Sequence, residues 1–398
     1  FRLRHRAWPR RLLEINMQNF VRIFLTCLVM SLLLLLACPK VKAESVPPSG
    51  RDTTVTTSFD KSEAPAEFKI WTNESGGYDS NNDTLWGRNV WTCLSNTDPA
   101  TGKCSTEVTG VQNGKTTIAL LFTEKRSGIT QIINLTGYHS IVATTSAGCW
   151  PKDNVWGPYL INAGMQVNCS DGNSNDESTL TVSIPSTELS KLPVGGVWEA
   201  HLQLNLMQWS PRTKLADWNA HITLNVTDTN NQQIYLPEFG NAAPHVDLNL
   251  RPLPGTTGNQ TMLSGTATLD MCLYDGYNAN SSEFIISPKD QYNGLPGRGF
   301  GLYSVYHNGK IDDANRIDYQ LQILNLVSRE FVDLANWQNY VAKNISEAPL
   351  RSVHLPGIPQ AVVCVPTALR FITPEFPIAN KTAGSYTGTL HLTLTTEM

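Results

Sequence analysis

The side chains of this 398-residue chain best able to do covalent chemistry are its cysteines, and their spacing favours pairing over catalysis. Of the eight, Cys27 and Cys38 fall in an apolar leader; Cys93, Cys104, Cys149, Cys169, Cys272 and Cys364 follow it. An even number in an exported protein argues for disulfides. Cys93 with Cys104 and Cys149 with Cys169 would each close a short loop, which leaves Cys272 and Cys364 to bridge the second half. Six cysteines admit many connectivities, so the alternatives stay open. No Cys-x-x-Cys and no cluster of histidines offers a metal site, and no metal or cofactor is expected.

Enzyme signatures are missing. The chain has no His-Glu-x-x-His, no Gly-x-Ser-x-Gly, no phosphate loop and no dinucleotide fingerprint ahead of a helix. "GRGFG" (297 to 301) is glycine-rich but reads as a turn. "DGNSNDES" (171 to 178) imitates a calcium loop, yet Asp176 stands where glycine is needed and Val182 where the bidentate acid is needed. Asp312 and Asp313 form an acid pair that reads as a turn. The expectation is a protein that is not an enzyme. A secreted carbohydrate-active enzyme is the remote alternative, and it would need two carboxylates close together in a cleft.

Residues 1–16 read as upstream translation, and Met17 opens a signal peptide over 17–43. Arg22 precedes an apolar run from Ile23 to Ala37, and Val41 and Ala43 supply the small-residue cleavage pattern. The run is short for a membrane span. "LLAC" at Leu35 to Cys38 is a rival: a lipoprotein box that would acylate Cys38 and leave a surface lipoprotein. Cleavage after Ala43 leaves 22 Lys/Arg against 33 Asp/Glu, a formal charge of −11. Such a chain is repelled by nucleic acid, and no nucleic-acid partner is expected.

The elements that position these residues are strands. "TTIALLFTE", "STLTVSIP", "EAHLQLNLM", "NAHITLNVTD", "DYQLQILNL" and "YTGTLHLTLTTE" alternate apolar and polar side chains between Gly, Pro, Asn and Asp punctuation. One stretch, 328–344, has helical periodicity. The fold class is therefore all-β, with sandwich-like domains. The polar "TNNQQ" (229–233) marks a linker between a domain over 44–228 and another over 234–398. "DTTVTTSF" (52 to 59) is read as the first strand of the first domain, ahead of a donor-like strand for another chain. The last strand, alternating from Tyr386, runs almost to Met398 with no returning strand to pair with.

Several stretches carry a family pattern: "FTEKRS" (122 to 127), "KLPVGGVWEAHLQLN" (191 to 205), "VDLNLRP" (246 to 252), "DMCLYDGYNANSS" (270 to 282) and the closing "AGSYTGTLHLTLT". In order, and with all six cysteines, they resemble the tip adhesin subunits of alternate chaperone–usher fimbriae, the colonisation factor antigen type. The resemblance implies two immunoglobulin-like β-sandwich domains in tandem. The first would bind a host-cell glycoconjugate receptor. The second, a pilin domain, would lack its final strand and be completed by donor-strand complementation. The strand would come from the N-terminus of the major pilin subunit, after a periplasmic chaperone and the outer-membrane usher have handled the chain. Leu390, Leu392, Leu394 and Tyr386 would then face the acceptor groove, and the protein would be exported to the extracellular fimbrial tip.

The resemblance also implies a receptor site. In the family a basic depression is built by arginines from two loops, one of them a few residues before the first cysteine. "LWGRNVWTC" puts Arg88 there. A guanidinium suits the task, being planar, permanently charged and able to fork onto a carboxylate or hydroxyls. The family's second, paired arginines follow the stretch matching "LQLNL", where this chain has Gln208 and Trp209 instead. Arg212 and Lys214 follow, and either could restore the charge, while Trp209 could stack on a sugar face. The order of expectation is Arg88, Arg212, then Trp209.

Overall fold

The structure, a computed structural model, describes residues 45–80, 82, 85–144, 151, 153–165, 168–169, 172–173, 176–239 and 243–397. The leader, the Cys38 box and Cys149 lie outside these residues, as does the side chain of Cys169, so the Cys149–Cys169 expectation lies outside them too.

Nine strands build the main sheet of the first domain: β1 (Arg51–Asp60), β2 (Glu67–Ser75), β3 (Asn89–Cys93), β4 (Thr116–Glu124), β5 (Thr130–Ala143), β6 (Val155–Tyr159), β7 (Asp176–Pro185), β8 (Gly196–Trp209) and β9 (Arg212–Thr227). Their order is β1-β9-β8-β4-β5-β7-β2, with β3 added on β8 and β6 on β5. The sheet wraps so that its two edges meet, where Trp71 Nε1 of β2 donates to Thr53 Oγ1 of β1 at 3.0 Å. Period-two alternation drives this arrangement. Along β8, Trp198, Leu202, Leu204 and Leu206 are fully buried, while Glu199, His201 and Gln203 face outward. Trp71, Trp91 and Trp218 interlock edge to face at 5.2 and 5.4 Å at the centre of the core. "DTTVTTSF" falls in β1, which pairs in parallel with β9 inside this domain.

A 3₁₀ turn at Thr229–Asn231 leads into the second domain, and Gln233 already belongs to its first strand. Its strands are β10 (Gln233–Tyr235), β11 (Leu250–Pro252), β12 (Met262–Tyr274), β13 (Glu283–Lys289), β14 (Tyr303–Tyr306), β15 (Arg316–Leu324), β16 (Phe331–Asp333), β17 (Tyr340–Lys343), β18 (Arg351–Val353), β19 (Val362–Pro377) and β20 (His391–Glu397). One sheet runs β10-β12-β19-β15-β14, with β11, β16 and β18 at its margins; the facing sheet is β17-β13-β20. Met271, Leu273, Phe284, Ile286, Leu321 and Ile323 fill the space between them.

The two sequence-defined pairs within the described residues form as disulfides. Cys93–Cys104 closes a short loop, and Cys272–Cys364 joins β12 to β19 across a separation of 92 residues. By the chain-entropy model a loop of that length stabilises by roughly 4–5 kcal/mol.

Two expectations are corrected. The 328–344 stretch is not helical: Phe331–Asp333 pairs with β15 and Tyr340–Lys343 with β13, with Trp337 between them at φ 61°. Val332 and Tyr340 pack on the core, and β-forming side chains with sheet partners outweigh a short helical period. The closing strand also starts later than its alternation, at His391 instead of Tyr386. Residues 386–390 are a connector touching β14 through one bridge, Tyr306 with Thr387.

Candidate functional site

The β8–β9 hairpin ends in the tight turn Trp209-Ser210-Pro211-Arg212. A register shift after Leu206 re-aims the last residues of β8, as bulges do at functional rims. β3, wholly buried and anchored by Cys93, pairs with that same end of β8, with Asn89 opposite Gln208. Arg88 precedes β3, and its carbonyl accepts the Trp209 N–H at 2.9 Å. Two residues far apart in the sequence are thereby fixed side by side.

The Arg88 guanidinium lies 5.6 Å from the centroid of the Trp209 ring, a cation–π distance. A Cβ on Gly164 would come within 3.0 Å of the same indole, so the 163–165 segment backs Trp209 closely. Trp209 is therefore half-buried between neighbours, a support for Arg88 more than an open platform for a sugar. Among the described residues no carboxylate pairs with Arg88, and its Nε has no hydrogen-bond partner. The other two candidate cations are committed. Arg212 donates to the Val108 carbonyl at 3.0 Å and sits 3.4 Å from the Glu107 carboxylate. Lys214 pairs with Asp217. Gln208 spends its amide on the Ser210 and Pro211 carbonyls, bracing the turn. The structure thus brings Arg88, Gln208, Trp209 and Arg212 to one end of the domain. It adds Glu107 and Gly164, which nothing in their sequence surroundings marked.

His139 holds the 163–165 segment in place: it is fully buried, and its Nε2 lies 2.9 Å from the Ala163 carbonyl. Burial pushes its pKa down to about 4. The unfolded chain, with an ordinary imidazole near pH 6.5, binds the proton more readily, so stability is lost as pH falls through that interval. The expected loss is about 3 kcal/mol between pH 7 and pH 4. Unfolding midpoints measured across this range, with His139→Gln as the variant that flattens the profile, check it.

The second candidate site is an edge. β20 pairs with β13 along its whole length, from Glu283 with Glu397 to Lys289 with His391. Its other edge has no strand partner among the described residues. Leu390, Leu392 and Leu394 point to the core yet remain only half-buried, and Ile234, Val246 and Leu248 of the facing sheet's margin share that condition. The two margins approach where Gln232 Nε2 donates to Thr396 Oγ1 at 3.0 Å. Tyr386 is tied elsewhere: its hydroxyl donates to the Thr382 carbonyl at 2.7 Å and lies 3.1 Å from the Ala314 carbonyl.

Known proteins share this architecture. The family model for the first domain of the CFA/I fimbrial protein CfaE matches residues 40–229, and that for its second domain matches 232–398. The CFA/I fimbrial protein of this type from Escherichia coli is 32% identical over 365 residues, covering 89% of this chain and 93% of that protein. The crystal structure of CfaE, the adhesive subunit of the CFA/I fimbria of enterotoxigenic Escherichia coli, superposes with a TM-score of 0.75 at 28% identity. It covers 89% of this chain and 94% of its own. A chain from a chaperone–tip adhesin complex of CFA/I fimbriae biogenesis superposes at 0.62, again at 28% identity, covering 89% of this chain and 98% of its own.

Proposed function

The chain belongs to the CfaE family of CFA/I fimbrial proteins, and from that premise we propose how its two domains divide the work of a fimbrial tip adhesin. The first domain binds a glycoconjugate on the host cell through the end built by β3 and the β8–β9 turn. Arg88 is the contact residue: it lies against Trp209 with no acidic partner among the described residues, whereas Arg212 and Lys214 are paired. In a domain whose formal charge is −7, a guanidinium with no acidic partner among the described residues is a local attraction for a carboxylate-bearing sugar. Trp209 and Gln208 shape the rim, and Arg212, held by Glu107, flanks it.

The second domain joins the chain to the fimbrial shaft. Its open β20 edge, floored by half-buried leucines, is an acceptor for an extended segment from another chain. Main-chain hydrogen bonds would give the affinity, and alternate side chains would fill the apolar gap. A periplasmic chaperone occupies it first, in keeping with the solved chaperone–tip adhesin complex of a relative, and the outer-membrane usher and major pilin follow. The relatives are adhesive fimbrial proteins, and the protein works outside the cell at the fimbrial tip.

The test is to express residues 44–228 alone, and residues 234–398 together with a peptide copying the N-terminal strand of the shaft pilin, and to apply each to receptor-bearing cells and glycan arrays. Binding by the first alone is expected; binding by the second alone would overturn the division.

A further inference from the structure

On the outer face of the first domain, far in sequence from Arg88, two imidazoles face each other. His201 of β8 and His221 of β9 are direct cross-strand partners. Their rings stack at 4.3 Å between centroids, 9° from parallel. The Nε2 of His201 is buried with no hydrogen-bond partner among the described residues. Asp52 of β1 places Oδ1 3.4 Å from the Nε2 of His221. That is long for a hydrogen bond but close to the separation of two ligands on one tetrahedral ion, about 3.4 Å.

The surroundings favour a cation. Glu199 lies two residues before His201 on the same face, and Thr223 stands opposite it; Gln203 and Asn219 flank the other side. The Glu199 carboxylate reaches Lys125 only at 3.7 Å. Cross-strand imidazoles with a carboxylate beside them suit borderline metals, which take nitrogen ligands, and not calcium or magnesium, which take oxygen.

We infer that His201 and His221 form a two-imidazole site for a divalent transition-metal ion of the zinc, nickel or copper class, with Asp52 as the third ligand. As the side chains stand, no three such groups converge on one point among the described residues. Closure takes a rotation of Asp52, whose side chain is 76% exposed, and a swing of both imidazoles out of their parallel stack, because each donates its lone pair in the plane of its own ring. The bound ion would staple β1, β8 and β9, three consecutive strands of one sheet.

The test is calorimetric titration of the full secreted chain, free of any polyhistidine tag, with zinc chloride, and with calcium chloride as the comparison. One zinc ion per chain and a rise in the unfolding midpoint are expected, with no response to calcium. His201→Ala and His221→Ala should each weaken zinc binding at least about tenfold, and Asp52→Asn should weaken it less. Both histidines lie on the outer face, so the variants' metal-free midpoints should stay near that of the unaltered chain. Absence of zinc binding overturns the site, and so does binding that survives the double variant or is lost in only one of the singles. Calcium binding as tight as zinc would overturn the assignment to imidazole ligands.

Discussion

Arg88→Ala is expected to abolish attachment to receptor-bearing cells while the chain still folds and enters fimbriae. Arginines at the centre of binding sites contribute roughly 2–4 kcal/mol on truncation, a loss of about thirty- to a thousandfold in affinity. Folding should hardly notice. The substitution removes one cation–π contact, worth about 0.5–1 kcal/mol, and removes a buried Nε donor that has no partner among the described residues. The backbone bond from Trp209 to the Arg88 carbonyl survives any side-chain change. Arg88→Lys keeps the charge but loses the planar fork, so it should recover only part of the binding. Arg212→Ala should cost less, since its guanidinium is shared with Glu107 and Val108. Haemagglutination by assembled fimbriae, with fimbrial yield measured alongside, reads the effect. Unchanged agglutination by Arg88→Ala would remove Arg88 from the site.

The second large effect is expected at the open edge. Residues 234–398 alone should be unstable or aggregate, and a peptide copying the N-terminal strand of the shaft pilin should rescue them. A peptide that binds only the folded domain stabilises it by about 2.7 kcal/mol at a hundred times its dissociation constant. For a domain of this size that corresponds to a midpoint shift of roughly 5–10 °C. The stabilisation has an evident source: a strand laid beside β20 would pair its free backbone and cover Leu390, Leu392 and Leu394, each left half-buried. Leu392→Asp, which puts a charge on that floor, should block the rescue without disturbing the β13 pairing on the opposite edge. A lone second domain that is a stable monomer indifferent to the peptide would show that β20 needs no outside strand.

How much of this was legible beforehand varied with the range of the interaction. Where one face of a strand meets the core and the other meets water, the pattern is written locally: "TTIALLFTE" coincides with β4 residue for residue. The 328–344 stretch failed for the opposite reason. Its periodicity is ambiguous over so short a span, and partners in β13 and β15 decided the outcome. The late start of β20 is of the same kind: Tyr386 alternates correctly, but its hydroxyl is captured by Ala314 and Thr382, which holds the connector off the sheet.

The candidate receptor site divides in the same way. Sequence alone determined the all-β class and the pairing of the cysteines that are described, while Arg88 was singled out only through the resemblance to the family. The class follows from residue type and near neighbours, and the long Cys272–Cys364 pair from what the short-range pairs leave over. Only the tertiary structure decided which cations remain available. Glu107 lies 105 positions from Arg212, and Gly164 is likewise distant from Trp209, so the quenching of one charge and the backing of the indole arise from pairings made across the folded sheet. The same holds for the edge of β20 that is unpaired among the described residues: alternation announces a strand, but which of its edges stays open is decided only by the neighbours the other described strands take.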